Sequence, residues 1–151
     1  MSDFTSLSSA LEQIKNNEQL IDLLYNNAGG SFPELMYSKH GRELHYELQT
    51  VVLYIITMEL KTLLKNGTLK RVVHTSTNAF NTMKRFDPET LDSPAQNKMF
   101  FGPYAASKLA LSLWTQELAP HLVALKFVQH APRVLEKVRA IYEYMYNEVG
   151  K

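Results

Sequence analysis

Two short apolar runs, Leu20–Tyr25 and Leu69–Thr75, flank one long helical pattern, and that order constrains the fold more than any other feature. A strand, a crossover helix and a second strand make a parallel pair, because the crossover returns the chain to the end where it started. Both runs are apolar along most of their length, which suits strands covered on two faces. The first stops at Asn26-Asn27-Ala28-Gly29-Gly30, and the second delivers Thr75-Ser76-Thr77-Asn78 to its C-terminal end. In open parallel sheets ligands bind at the loops leaving those ends. Asparagine and glycine also favour turns for their own sake, so both readings of the first turn stand.

Between the runs, Leu44, Leu48, Val52, Ile55, Ile56, Leu60 and Leu63 keep helical spacing over 42–65, closed by Asn66-Gly67. The cluster Val51–Ile56 alone would suit a strand, but length and flanking helix formers decide for a helix. Its apolar residues occupy nearly the whole circumference, so sheet on one side and a partner helix on the other would cover it. Residues 6–17 read as a short helix capped by Ser6 or Ser8, with Leu7, Leu11 and Ile14 on one face. Val123–Val128 reads as a third strand, and Pro132 opens a last helix with Val134, Val138, Ile141, Met145 and Val149 on one face. Residues 78–102 form a long connection whose Phe80, Met83, Phe86, Met99, Phe100 and Phe101 either line an apolar pocket or cover the core.

With 151 residues the chain is expected to form one domain over 1–151. Sixteen basic residues against fifteen acidic ones leave no electrostatic footprint for nucleic acid. The absence of cysteine excludes disulfides, thiolate nucleophiles and cysteine-bound metals. His40 and His45 lie five apart and diverge on a helix, so no metal site is expected and a solvated or capping role is. The N-terminus has no signal-peptide core, and the run Val51–Met58 is too short for a membrane span. A cytoplasmic protein is the expectation.

The chemistry concentrates in Tyr104-Ala-Ala-Ser-Lys108, which Pro103 sets at the start of a helix. Tyrosine and lysine four apart lie on one helix face. A phenol is a poor proton donor or acceptor at neutral pH, and a neighbouring ammonium favours its ionised form. Such a pair suits general acid/base catalysis, although the spacing also arises by chance on amphipathic helices.

A strand running into Asn-Asn-Ala-Gly, a long helix, a strand ending in Ser-Thr, and then Tyr-x-x-x-Lys: over residues 20–130 this order resembles the short-chain dehydrogenase/reductase family. Ile21–Gly30 and Tyr104–Leu122 look like the members acting on retinol and steroids, as does the last helix, Leu135–Val149. The resemblance implies a partial Rossmann-like α/β fold of three layers, about three parallel strands flanked by helices. It implies NAD or NADP as cofactor and a lipophilic alcohol or carbonyl as substrate. Tyr104 matches the catalytic tyrosine, Lys108 the lysine that tunes it and binds the nicotinamide ribose, and Thr77 the catalytic serine. Asn26, Asn27, Ala28 and Gly29 match the turn beside the cofactor.

The chain also departs from the family pattern. Where the family carries an asparagine that reaches the lysine through water, the matching position is read as Val51, preceded by Gln49-Thr50. No Gly-x-Gly-x-x-Gly occurs, and Met1 falls where the connection to the fourth strand would be, so the N-terminal βαβ half is expected to be missing. After the third strand, Gln129–Arg133 leads directly toward the last helix. The expectation is a truncated domain with weak cofactor binding and marginal turnover. Association into a homodimer, or with a related chain, is expected to cover the sheet. The alternative is a non-enzymatic pseudoenzyme or fragment acting through protein–protein association.

Overall fold

A computed structural model describes residues 3–119 and 130–149 of the chain. Helix α1 (Phe4–Asn17) starts two residues before the sequence pattern, because Asp3 rather than a serine caps it, accepting from the Thr5 N–H at 3.1 Å. Phe4, Leu7 and Leu11 are buried along one face, while Ile14 lies at its exposed edge. Strand β1 (Leu23–Asn26) pairs in parallel with β2 (Arg71–His74), Leu23 opposite Arg71 and Asn26 opposite His74. These two make the sheet found among the described residues. The expected third strand, 123–128, lies outside them. Helices around a parallel pair make an α/β fold compatible with part of a Rossmann-like one.

The strands differ from the buried pair expected. Leu23 and Tyr25 are 48% and 60% exposed, so one face of β1 meets solvent. The helices explain why. The last helix, α6 (Ala131–Val149), packs on α5 (Pro103–Leu118) and α3 (Val52–Glu59) rather than on the open face of the sheet. Val134, Val138 and Met145 are buried in that contact; the side chain of Val149 lies outside the description.

The long helical pattern over 42–65 resolves into four pieces. A short α2 (Leu44–Tyr46) runs into a π-helical turn, Glu47–Val51, then α3, and a break at Leu60 leads to α4 (Lys61–Asn66). Val51 to Ile55 are all buried, as an apolar circumference requires. Thr50 in the π turn donates to the Ser107 carbonyl of α5 at 2.7 Å, which joins the two helices at one buried point. Trp114 anchors the same interface, edge-on to Tyr54 at 5.3 Å and to His74 at 5.0 Å. Gly67 ends α4 where a Cβ would strike the backbone carbonyl of Ile21, so only glycine fits.

The connection 78–102 carries two 3₁₀ turns, Ala79–Thr82 and Pro88–Thr90. Its aromatic and methionine residues divide between the two roles left open by sequence. Phe86 is buried in the core, Phe80 and Met83 pack against it, and Met99, Phe100 and Phe101 stay about half exposed.

Candidate functional site

Helix α5 begins as the sequence requires, with Pro103 in its first turn, and its buried Ala105, Ala110 and Leu109 draw it against the core. One turn in, Lys108 is buried, and its Nζ donates to the Thr75 carbonyl at 2.7 Å, immediately beyond β2. Burial pulls the Lys108 ammonium below the ordinary lysine range. Tyr104 is half-buried, its ring edge-on to His45 at 6.1 Å on one side and to Phe100 at 6.2 Å on the other. The Tyr104 hydroxyl makes no hydrogen bond to Lys108 or Thr77. Thr77 is half-buried, and its hydroxyl oxygen accepts from the Ala79 N–H at 3.2 Å. Beside it, Ser76 and Ser112 of α5 share a hydrogen bond of 2.8 Å, a second tie between helix and strand end.

The turn after β1 divides in two. Asn26 points inward, its amide donating to His74 Nδ1 at 3.2 Å and lying 3.4 Å from the Thr57 hydroxyl. Asn27, Ala28 and Gly29 are exposed, and Asn27 Oδ1 accepts the Thr75 hydroxyl at 2.8 Å. The carbonyl that receives Lys108 and the hydroxyl that holds Asn27 therefore belong to one residue, Thr75. Because Nδ1 of His74 receives the Asn26 amide, its proton sits on Nε2. Burial first, and the Lys108 charge second, pull His74 down to about 4.

Several polar residues are buried here whose burial the sequence did not lead one to expect. His45 is fully buried, not solvated or capping: its Nδ1 donates to Glu43 at 2.6 Å and its Nε2 accepts from the Phe32 N–H at 2.9 Å. Gln49, one residue before Thr50, sends its amide to the Gly30 carbonyl at 2.8 Å and buries an unpartnered Oε1. So although Val51 carries no polar group, a buried amide stands two residues earlier and meets the glycine turn. Glu47 is buried as well, accepting from Ser38 at 2.8 Å and Arg42 at 2.9 Å, with His40 at 3.3 Å. The available signal was the run Glu43-Leu-His-Tyr-Glu-Leu-Gln-Thr50, polar on a helix otherwise apolar all round. Among the described residues no group of three or more acidic or histidine side chains is placed to hold a metal, and no helix is long and apolar enough to cross a membrane.

No protein-family model matches the chain, and no solved structure does. The chain is similar over 65 residues, at 35% identity, to the short-chain dehydrogenase/reductase iacJ of Pestalotiopsis fici. The similar stretch covers 43% of this chain and 20% of that protein, so the comparison reaches about a fifth of the relative's length. A similarity of that extent supports a likeness to the short-chain dehydrogenase/reductase family and nothing finer.

Proposed function

We propose that the chain is an NAD(P)-linked oxidoreductase of short-chain dehydrogenase/reductase type, interconverting an alcohol and a carbonyl, with low turnover by these 151 residues alone. The observation that carries this reading is the buried Lys108 ammonium on Thr75, one helical turn after Tyr104. Desolvating a lysine is costly, and a lysine held at a strand's C-terminal end, where parallel sheets bind ligands, supports a functional role. Tyr104 Oη, without a hydrogen bond among the described residues, is the group to give a proton to, or take one from, the substrate oxygen. Lys108 supplies a buried positive charge one turn further along the same helix, and Thr77 Oγ1, which accepts from the Ala79 N–H, keeps its own proton to donate to the substrate oxygen.

A nicotinamide nucleotide supplies the hydride when bound. The ribose end of such a nucleotide suits the exposed Asn27–Gly29 turn and Lys108. The pyrophosphate end finds less: α1 opens on the carboxylate of Asp3, which repels an anion, and no Gly-x-Gly-x-x-Gly is present to hold it. Low affinity for the nucleotide follows, and with it low turnover.

The test is NADPH and NADH consumption by the purified chain with a lipophilic aldehyde. Slow turnover that Tyr104→Phe abolishes supports the reading; identical rates in parent and Tyr104→Phe refute it.

A second reading, a non-enzymatic association module, is favoured by the open face of the sheet. Leu20, Leu23, Tyr25 and Leu69 are each about half exposed or more, and among the described residues β1 pairs with β2 alone, which leaves its outer edge open. A homodimer or a pairing with a related chain, in the cytoplasm, would cover them. Sedimentation at micromolar concentration separates the two readings: a strict monomer removes the second.

A further inference from the structure

Away from Tyr104, a cleft of about 380 Å³ opens between α3, α4, the entry to β2 and the end of α5. Lys108 meets Thr75 just beyond the last residue of β2, whereas Lys70, which lines the cleft, stands just before the first. The two sites therefore lie at opposite ends of the strand. Met58 of α3, Leu64 of α4, Val72 of β2 and Leu118 of α5 give the cleft an apolar lining. The Thr57 hydroxyl, its one uncharged polar side chain, already donates to the Leu53 carbonyl at 2.7 Å. Every charged side chain that lines it is a lysine: Lys61, Lys65 and Lys70.

The chain as a whole carries sixteen basic and fifteen acidic residues, so three cations gathered without an anion are a local imbalance. All three are exposed, and none forms a salt bridge among the described residues. Residues 120–129, which follow the end of α5 in the chain, contain no aspartate or glutamate that could neutralise them. Two of the lysines also stand where the local backbone disfavours them. Lys61 opens α4, where a cation faces the positive end of the helix dipole. Lys70 holds φ +50°, a left-handed conformation that glycine adopts freely and a longer side chain does not. Lys61 and Lys65, four apart on one helix face, repel each other. Only Lys65, in the last turn of α4, is where local structure favours a cation.

An anion held among the three would offset their repulsion, and an anion with an apolar tail would use the lining as well. We propose that this cleft binds an aliphatic carboxylate of medium chain length, its head among the three ammoniums and its tail along Met58, Leu64, Val72 and Leu118. Charge complementarity selects the anionic head, and the apolar lining selects a tail over a small inorganic ion. No arginine lines the cleft, so the bidentate fork suited to phosphate is missing, and lysine point charges serve a carboxylate. The assignment depends neither on Tyr104 nor on hydride transfer.

The experiment is an amide-resolved NMR titration of the ¹⁵N-labelled chain with decanoate, with decanol and with acetate, each run separately. Decanoate is expected to shift the amides of residues 57–72 and of Leu118, and to bind roughly tenfold or more tighter than either of the others. The double variant Lys61→Gln/Lys65→Gln and, separately, Lys70→Gly should each weaken decanoate by roughly threefold or more while decanol changes less than about twofold. Their thermal midpoints should stay level or rise, because one change relieves charge repulsion and the other backbone strain. Decanol binding as tightly as decanoate would reduce the cleft to its apolar lining. Acetate binding as tightly would reduce it to an unselective patch of charge. Either result overturns the assignment. So do shifts confined to other residues, variants that bind decanoate as the parent does, and midpoints that fall in both variants, since the lysines would then be structural.

Discussion

Lys108 Nζ and the Thr75 carbonyl oxygen are 2.7 Å apart, and this one bond ties the middle of α5 to the end of β2. It is charge-assisted and buried, and burial holds the ammonium below the usual lysine range. Removing the amine takes away a bond but also a desolvated charge. Lys108→Met should therefore cost only about 1 kcal/mol of stability. Tyr104→Phe, which deletes a hydroxyl without an internal partner, should stay within about 0.5 kcal/mol. Both should lower NADPH-dependent reduction by roughly 10²–10⁴-fold. Urea unfolding run beside the activity assay checks the separation of the two effects.

Acid should weaken the fold through His74. Unfolded, this imidazole takes a proton below about pH 6.5; folded, it does so only near 4, chiefly because it is buried beneath Trp114 and secondly because of Lys108. Between those values the unfolded state binds more protons, so stability is complete above pH 6.5 and falls as pH drops toward 4. The loss reaches about 3 kcal/mol for this site. Urea midpoints at pH 7.0 and 4.5 should differ more for the parent than for His74→Gln, and equal slopes would refute the assignment.

Gly29 and Gln49 should be energetically coupled. A Cβ at Gly29 would lie 2.7 Å from Gln49 Oε1, displacing an amide that holds the Gly30 carbonyl. Gly29→Ala is expected to cost about 1–2 kcal/mol, and in a Gln49→Ala background the same change should cost far less. A double-mutant cycle measures this directly, with a coupling of about 1 kcal/mol. Gly67→Ala has no such escape, because its obstacle is the Ile21 backbone, and should cost more than Gly29→Ala in the same assay.

Glu47 is the counterion of a buried network. Its carboxylate takes hydrogen bonds from Ser38 and Arg42, and Arg42 in turn lies over the Phe4 ring of α1 at 5.5 Å. Glu47→Gln leaves the guanidinium without its partner and should cost about 3 kcal/mol. Hydrogen exchange should quicken at 38–42 and in α1 together; protection unchanged in α1 would show that the network ends at Arg42.

The local grammar of the chain was enough for much of this. Pro103 and the alanines after it set the start of α5 and the spacing of Tyr104 and Lys108 along it. The order of apolar runs set a parallel pair, and Asn66-Gly67 the end of α4. Each of these depends on neighbours within one or two turns, where helix period, capping and turn chemistry are written directly in residue type.

Contacts between distant segments decided the rest. His45 is buried because Glu43 and the Phe32 N–H, thirteen residues away, take up both its nitrogens. Lys108 spends its amine on a carbonyl 33 residues distant, and Phe100 meets Tyr104 through a left-handed turn that no residue type near it announces. Leu23 and Tyr25 read as buried by composition and stand exposed because α6 packs on other helices. Hydrophobicity states what a side chain would gain by burial; only the packing of remote surfaces determines which side chains obtain it.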